Sequence, residues 1–549
     1  MATKALRATL LAAVGSLALA ACNLQVHPRD ESTGSSGSTI NLLIGGDNGS
    51  PTMQRNFNPY LGTHRTSVVF MYEPLVYVNG ITSKETPFLA TAHQQPSASS
   101  VVFTIRSAVR WSDGQAFTPD DVIFTFNLLK RFPALDVQGI WQHIKSVSAA
   151  GDKVTVTLKT PDVPAVQIIE QTLIVPKHSW QSIKDPVTAT NPNPVVTGPY
   201  VLDRFNPNQY TLKKNPNYWQ ADKVVADRLT FPGSNTQLDV VKNGYDWAYS
   251  FIPDVQGTWV GSKKQTNHYW FPPGGTISLF LNLTKAPFDN LDFRKGLSYA
   301  LDRKTIADKA ETGYVQPATQ AGLLLPNQQV FLDPSLPDGG NITQDTSKAL
   351  SYFSKAGFTR RGNALVDKSG HQLKLTLMVP SGYTDWLQGV QTVQQQLRQI
   401  GINVGLQTPQ PPAAQQALQN GNFDVAVSAF GGSGIPHQDF SLLLDSRLGA
   451  PVGKQSNGDF AHFHDPKVNA LLDQLKQTTD TKKQLAIIHQ LEHVVYDQVP
   501  VVALFYGGLW GLYSTKKVTG WPSQHNPYAP LTPWTSASLL IMTKLQKAK

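Results

Sequence analysis

A single cysteine, Cys22, stands in 549 residues, so no disulfide can close within the chain. Long apolar runs are also missing: Leu10 to Ala21 falls short of the roughly 20 residues that a spanning helix needs, and no later segment reaches that length. Charged residues are only 15% of the chain, which excludes a disordered polyelectrolyte, while 40% hydrophobic and 9% aromatic residues suffice for globular cores. Several enzyme signatures fail by one residue. Gly431 and Ser433 are spaced as in a nucleophile elbow, but Ile435 takes the place of the last glycine. His489 and His493 have zinc-protease spacing, but Gln490 replaces the catalytic glutamate. Neither a phosphate loop nor a dinucleotide fingerprint occurs, so no catalytic residue, cofactor or metal is expected. The basic pairs, such as Lys213-Lys214 and Lys516-Lys517, are scattered through ordinary globular sequence, which argues against a nucleic-acid partner.

What is present begins with an address. Lys4 and Arg7 precede the apolar run, the order of a secretory signal over residues 1–21. Leu19-Ala20-Ala21-Cys22 resembles a bacterial lipobox, in which the chain is cut before the cysteine and its sulfur takes a diacylglycerol thioether. Cys22 is thus the expected lipidation site, and two acyl chains anchor stably where one does not. Residues 22–39 are rich in Ser, Gly and Thr and suit a flexible tether. The expected location is outside the cell, anchored to the outer face of the cytoplasmic membrane or in the periplasm.

A chain this long exceeds what one hydrophobic core usually serves, so at least two lobes are expected. Val102, Phe103 and Ile105 predict a strand, Asp113-Gly114 a turn, and Thr118-Pro119 with Asp121 a capped helix. Asp120 and Asp121 are explained by that cap; adjacent helical residues point apart and do not converge on one bond. After the Pro/Gly break at 271–275, residues 276–283 read as a strand. Phe293, Leu297, Ala300 and Leu301 predict one amphipathic helix over 292–310. Val390, Val393, Leu397 and Ile400 predict another, stopped by Gly401 and followed by a strand through Ile402, Val404 and Leu406. That alternation implies a parallel or mixed sheet. His462, His464 and Asp465 have metal-ligand types close together in sequence.

Eight blocks in order, spread over most of the mature chain, resemble the family 5 extracellular solute-binding proteins, receptors of ATP-binding-cassette importers for peptides, nickel and oligosaccharides. They are FTIRSAVRWSDGQAFTPDDVIFTF, TGPYVLDRF, KKNPNYW, LDFRKGLSYALDRKTI, SKALSYFSKAGF, QQLRQIGINVGLQ, NGNFDVAVSAF and YDQVPVVALFY; the fourth departs from the family's Arg-x-Ala at Arg294-Lys295-Gly296. The resemblance implies a two-lobed α/β clamshell of the periplasmic-binding-protein type, class II. Lobe I would cover 40–275 with an inserted subdomain at about 60–190, lobe II 276–498, and residues 499–549 would return to lobe I. Hinge crossings are implied near 272–282 and 498–510. It also implies a monomer that binds an oligopeptide, or alternatively an oligosaccharide, and docks on permease transmembrane subunits. In peptide receptors an Asp near 430–440 pairs with the ligand's α-ammonium; Asp439 is the nearest candidate, although IPHQDF departs from the peptide spacing. Trp386, Phe430 and Trp510 are candidates to wall the ligand, Gly431 and Gly432 to let backbone approach it, and Asn282 completes the expected set. Nickel is disfavoured because no compact ligand set stands out.

Labelled palmitate is expected to enter the wild-type protein in bacterial cells and to be absent from Cys22→Ala, which is shed into the medium. Unlabelled wild type would refute the anchor.

Overall fold

Alternation decides the first sheet. Along Ser100–Ile105, Val101, Phe103 and Ile105 are buried and their neighbours are not, as a strand with one solvated face requires. This strand pairs antiparallel with Ala90–Ser97 and Lys153–Leu158, and Ile144–Ala150 completes four strands. A second four-stranded sheet joins Asn41–Leu43, Arg228–Pro232, Gln209–Lys214 and Tyr200–Asn206; its first pair is parallel and the rest antiparallel. One apolar cluster, with Phe57, Phe103, Trp111, Tyr200 and Trp247 in it, serves both sheets and extends to Leu539 and Ile541 near the C-terminus. The subdomain expected at about 60–190 therefore shares its core with the rest of lobe I. This computed structural model describes residues 39–45, 53–233 and 239–549; Cys22, the expected signal segment and nearly all of the expected tether lie outside them.

The Trp-Ser-Asp-Gly turn is locked to the helix Pro119–Arg131 through one carboxylate. Asp121 Oδ2 accepts from the Thr118 backbone N–H at 2.9 Å and from the Trp111 indole N–H at 3.3 Å, while Oδ1 accepts from the Lys177 N–H at 2.9 Å. Trp111 is fully buried above this knot, and Gly114 turns the chain with φ of +89°. Asp120 points to solvent and pairs with Lys177 Nζ at 3.0 Å. The two neighbours have separate structural duties.

The second lobe is built on a five-stranded sheet in the order Asn403–Gln407, Lys374–Met378, Val425–Phe430, Pro273–Leu281, Val501–Gly508. The first three run parallel; the last two pairings are antiparallel. Both faces are covered: Ile277, Leu279 and Leu281 join a cluster with Val393 and Leu397, while Phe280 joins Leu443 and Leu491 on the other face. This is the alternation that makes a strand of period two serve two cores.

Two expectations are corrected. Residues 292–310 form two helices, Leu291–Ala300 and Arg303–Ala310, because Asp302 caps the second by accepting from the Thr305 N–H at 3.1 Å. Its neighbour Arg303 then turns inward, 5% exposed, and donates to the carbonyls of Ser298, Ile342 and Ala503. The return to lobe I was expected from residue 499, yet Val501–Gly508 is still an edge strand of the second-lobe sheet. Only Gly511–Ser514 belongs with Trp247–Tyr249 and Asn267–Trp270 in a separate three-stranded sheet, so the chain crosses at 271–272 and 509–510. No helix among the described residues is long and apolar enough to cross a membrane.

Asp121→Ala removes a cap and leaves two buried N–H donors unpaired; it is expected to cost about 2–4 kcal/mol in chemical denaturation. Asp120→Ala is expected to stay within about 0.5 kcal/mol of wild type. Equal effects of the two would contradict this division of roles.

Candidate functional site

In an open α/β sheet the carboxyl ends of the parallel strands leave helix N-termini and loops free to meet a ligand. Here that edge of the second-lobe sheet is made by the ends of Lys374–Met378 and Val425–Phe430, the start of Pro273–Leu281 and the end of Val501–Gly508; Thr276 lies opposite Phe430, and Pro273 opposite Gly508. Four of the expected elements converge on it. Trp386 sits in the first turn of the helix Thr384–Gln399, Phe430 ends its strand, Gly431 and Gly432 follow, and Trp510 stands at the second crossing.

Lobe I meets this edge directly. A Cβ on Gly434, whose φ is +79°, would lie 3.1 Å from Gly80 Cα, and within the second lobe one on Gly432, whose φ is +88°, would collide with the Gly274 carbonyl. The backbones thus approach where only glycine fits. Farther along, the Val163 N–H donates to the Lys476 carbonyl at 2.9 Å, joining the lobes a second time.

Aromatic rings line the seam. Trp510 packs on Phe251 and Phe271 with ring centroids 4.7 and 4.8 Å away. Tyr249 of lobe I meets Trp534 at 4.4 Å, and Tyr383 meets Trp386 at 5.1 Å. Tyr383 and Trp534 remain 43% and 38% exposed, so these two offer ring surface to solvent, whereas Phe430 and Trp510 are 9% and 8% exposed and act mainly as packing. Behind the rings stands an acid pair. Glu311, 1% exposed, finds no N–H or O–H donor and faces Asp385 in the first turn of the Thr384–Gln399 helix. Burial first, and then the Asp385 charge, push Glu311 up to about 9; burial also raises Asp385. Two carboxyls that repel in this way do not both ionise near neutral pH, and Glu311 is the one that keeps its proton.

Two expected residues have other roles. Asp439 is 2% exposed; its carboxylate accepts from Gln328 Nε2 at 2.9 Å and from the Ser433 N–H at 3.3 Å, and burial pushes it up to about 6. It holds the 431–435 loop and does not face the seam. Asn282 lies at the opposite end of its strand, fully buried, donating to the Gly421 and Phe423 carbonyls. It is an internal strut, so the expectation that it meets ligand is withdrawn. The rejected metal motifs are also accounted for: Asp465 caps the helix Pro466–Gln477, and His489 and His493 approach Asp333 at 3.8 and 3.2 Å. Tyr249, Tyr383, Trp534, Glu311 and Asp385 were missed. A tyrosine and an aspartate just before Trp386, where a strand gives way to a helix, were the one available signal; nothing local marks Tyr249, Glu311 or Trp534.

Residues 84–450 match the family model for bacterial extracellular solute-binding proteins, family 5, middle part. The oligopeptide-binding protein OppA of Bacillus subtilis is 24% identical over 469 residues, which cover 80% of this chain and 83% of that protein. The nickel-binding periplasmic protein of Escherichia coli is 24% identical over 496 residues, 86% of this chain and 90% of its own. A periplasmic oligopeptide-binding protein of Thermotoga maritima, 25% identical, superposes with a TM-score of 0.83, covering 93% of this chain and 99% of that one. The same protein bound to mannohexaose superposes at 0.74.

A carboxyl with a raised folded value is protonated more readily in the folded than in the unfolded chain, so it lowers stability as pH rises from about 4.5 to about 9. Glu311→Gln is therefore expected to raise Tm at pH 8 and to leave it unchanged at pH 4. A Tm gain that is the same at both values would rule out the raised Glu311 carboxyl.

Proposed function

The chain belongs to the bacterial extracellular solute-binding proteins of family 5, and on that premise we propose that it is the capture subunit of an ATP-binding-cassette importer whose ligand is an oligosaccharide. The receptor role is the family's; the ligand class is argued from the seam. One observation carries it: the edge that faces lobe I offers aromatic ring surface, while the carboxylate expected to hold a peptide ammonium, Asp439, is buried and bonded within its own lobe. Flat apolar faces flanked by polar tips suit the ring planes and hydroxyls of sugars. Trp386, Tyr383 and Trp534 are assigned to that contact. The mannohexaose held by the Thermotoga protein supports the same reading.

Oligopeptide is the second reading, favoured by the oligopeptide-binding names of the Bacillus and Thermotoga proteins. In either case the ligand binds between the lobes and its differential affinity for the closed arrangement shifts the population toward it. The permease then distinguishes loaded from empty receptor by lobe geometry. We place the receptor outside the cell as a monomer, held at the membrane through Cys22. It binds and releases its solute without chemistry.

Isothermal titration with mannohexaose and with a mixed tri- to pentapeptide pool separates the readings. Sugar is expected to bind one per chain, with Trp386→Ala losing at least about tenfold in affinity, the 1.4 kcal/mol of one good ring contact. Mass spectrometry that finds peptide retained after native purification, with no sugar binding, would overturn the oligosaccharide assignment.

A further inference from the structure

Away from the seam, lobe I brings together three side chains that no motif connects. Glu85 belongs to the short strand Glu85–Pro87, His93 to Ala90–Ser97, and Glu170 ends the helix Ala165–Ile169. His93 Nε2 lies 2.7 Å from Glu85 Oε2 and 3.8 Å from Glu170 Oε2, and the three ligand atoms fall within 4.8 Å of one another. Glu170 is fully buried, and neither of its carboxyl oxygens has a hydrogen-bond partner. A carboxyl aimed at an imidazole from a dry wall, beyond bonding distance, is an expense that an ordinary ion pair between Glu85 and His93 does not explain.

We propose that Glu85, His93 and Glu170 form a binding site for one divalent transition-metal ion, with Zn²⁺ the best fit. Two carboxylates and one imidazole are too few oxygens for Ca²⁺ and include a nitrogen that Mg²⁺ avoids, whereas borderline ions accept such a set. Ligand atoms at a tetrahedral Zn²⁺ stand about 3.3 Å apart, given bonds of 2.0–2.1 Å. The two observed separations bracket that value, so a cation entering between them draws Glu170 in and lets Glu85 move out. His93 and Glu85 are partly exposed on one side, which leaves the fourth position to water. Gln167 Nε2 donates to Glu85 Oε1 at 3.4 Å and steadies the outer carboxylate. Burial, and then Glu85, hold Glu170 well above the usual carboxylate range. The ion ties two strands to a helix end and is a clip within lobe I, independent of the solute site.

The test is Co²⁺ titration of the EDTA-stripped full chain, read by the visible ligand-field band, with Zn²⁺ displacement and Tm in parallel. One Co²⁺ per chain in a low-symmetry tetrahedral spectrum is expected, and equimolar Zn²⁺ should abolish the band and raise Tm. Glu170→Gln, which keeps the shape and removes the buried charge, should fold and lose the band. His93→Gln should do the same, and His489→Gln with His493→Gln should keep it. Absence of the band in wild type would overturn the site. So would its persistence in folded Glu170→Gln, or its loss only in the His489/His493 variant.

Discussion

The antiparallel pairing of Pro273–Leu281 with Val501–Gly508 is the constraint on which the two-lobed structure depends. These are the strands by which the chain enters the second lobe and leaves it, and they lie side by side at one margin of the sheet. The two crossings, at 271–272 and 509–510, are therefore neighbours. A pair of adjacent single-chain crossings permits rotation of one lobe on the other while resisting translation, the geometry of a hinge. The same pairing brings Phe271 against Trp510, so that the crossings are themselves walled by aromatic rings.

Buried cations stabilise the lobe that hangs from this pair. Arg294 donates to the carbonyls of Phe288, Asp289 and Gln498, and Arg303 to those of Ser298, Ile342 and Ala503. Neither has a carboxylate bonded to its guanidinium among the described residues. Burial lowers both to about 10, still far above neutrality, so both remain charged; Arg294 gathers two chain segments and Arg303 three whose carbonyls would otherwise be left unpaired. The break at Leu301-Asp302 that split the predicted helix is what allows Arg303 to turn inward.

Much of the fold was legible because local rules and tertiary packing agreed. The capped helix after Trp111 and the helix stopped by Gly401 both have their apolar periodicity on the face that is buried. The split at residues 300–303 was hidden because the apolar spacing of Phe293, Leu297 and Leu301 runs through it, whereas the capping aspartate that breaks it is a single residue. The candidate site was less legible. Trp386 entered as a ring that could wall a ligand, and the glycines at 431–432 as a stretch after a strand where backbone can come close. Asp439 and Asn282 could not be judged, since an Asp or Asn that braces a loop reads the same as one that meets a ligand until its partners are known. Glu311 and Asp385 are 74 positions apart in sequence and became a pair only by packing.

Composition and periodicity by themselves pointed to two lobes of mixed α/β structure, and the resemblance of eight sequence blocks pointed to the family that the family model bears out. Those are properties of short windows, where a few residues fix backbone conformation. Tertiary structure alone decided that Tyr383 and Trp534 keep exposed faces, that Asp439 is committed to its own loop, and that Glu85, His93 and Glu170 stand together. Burial and the pairing of polar groups depend on segments far apart along the chain, and no local pattern encodes which of them will meet.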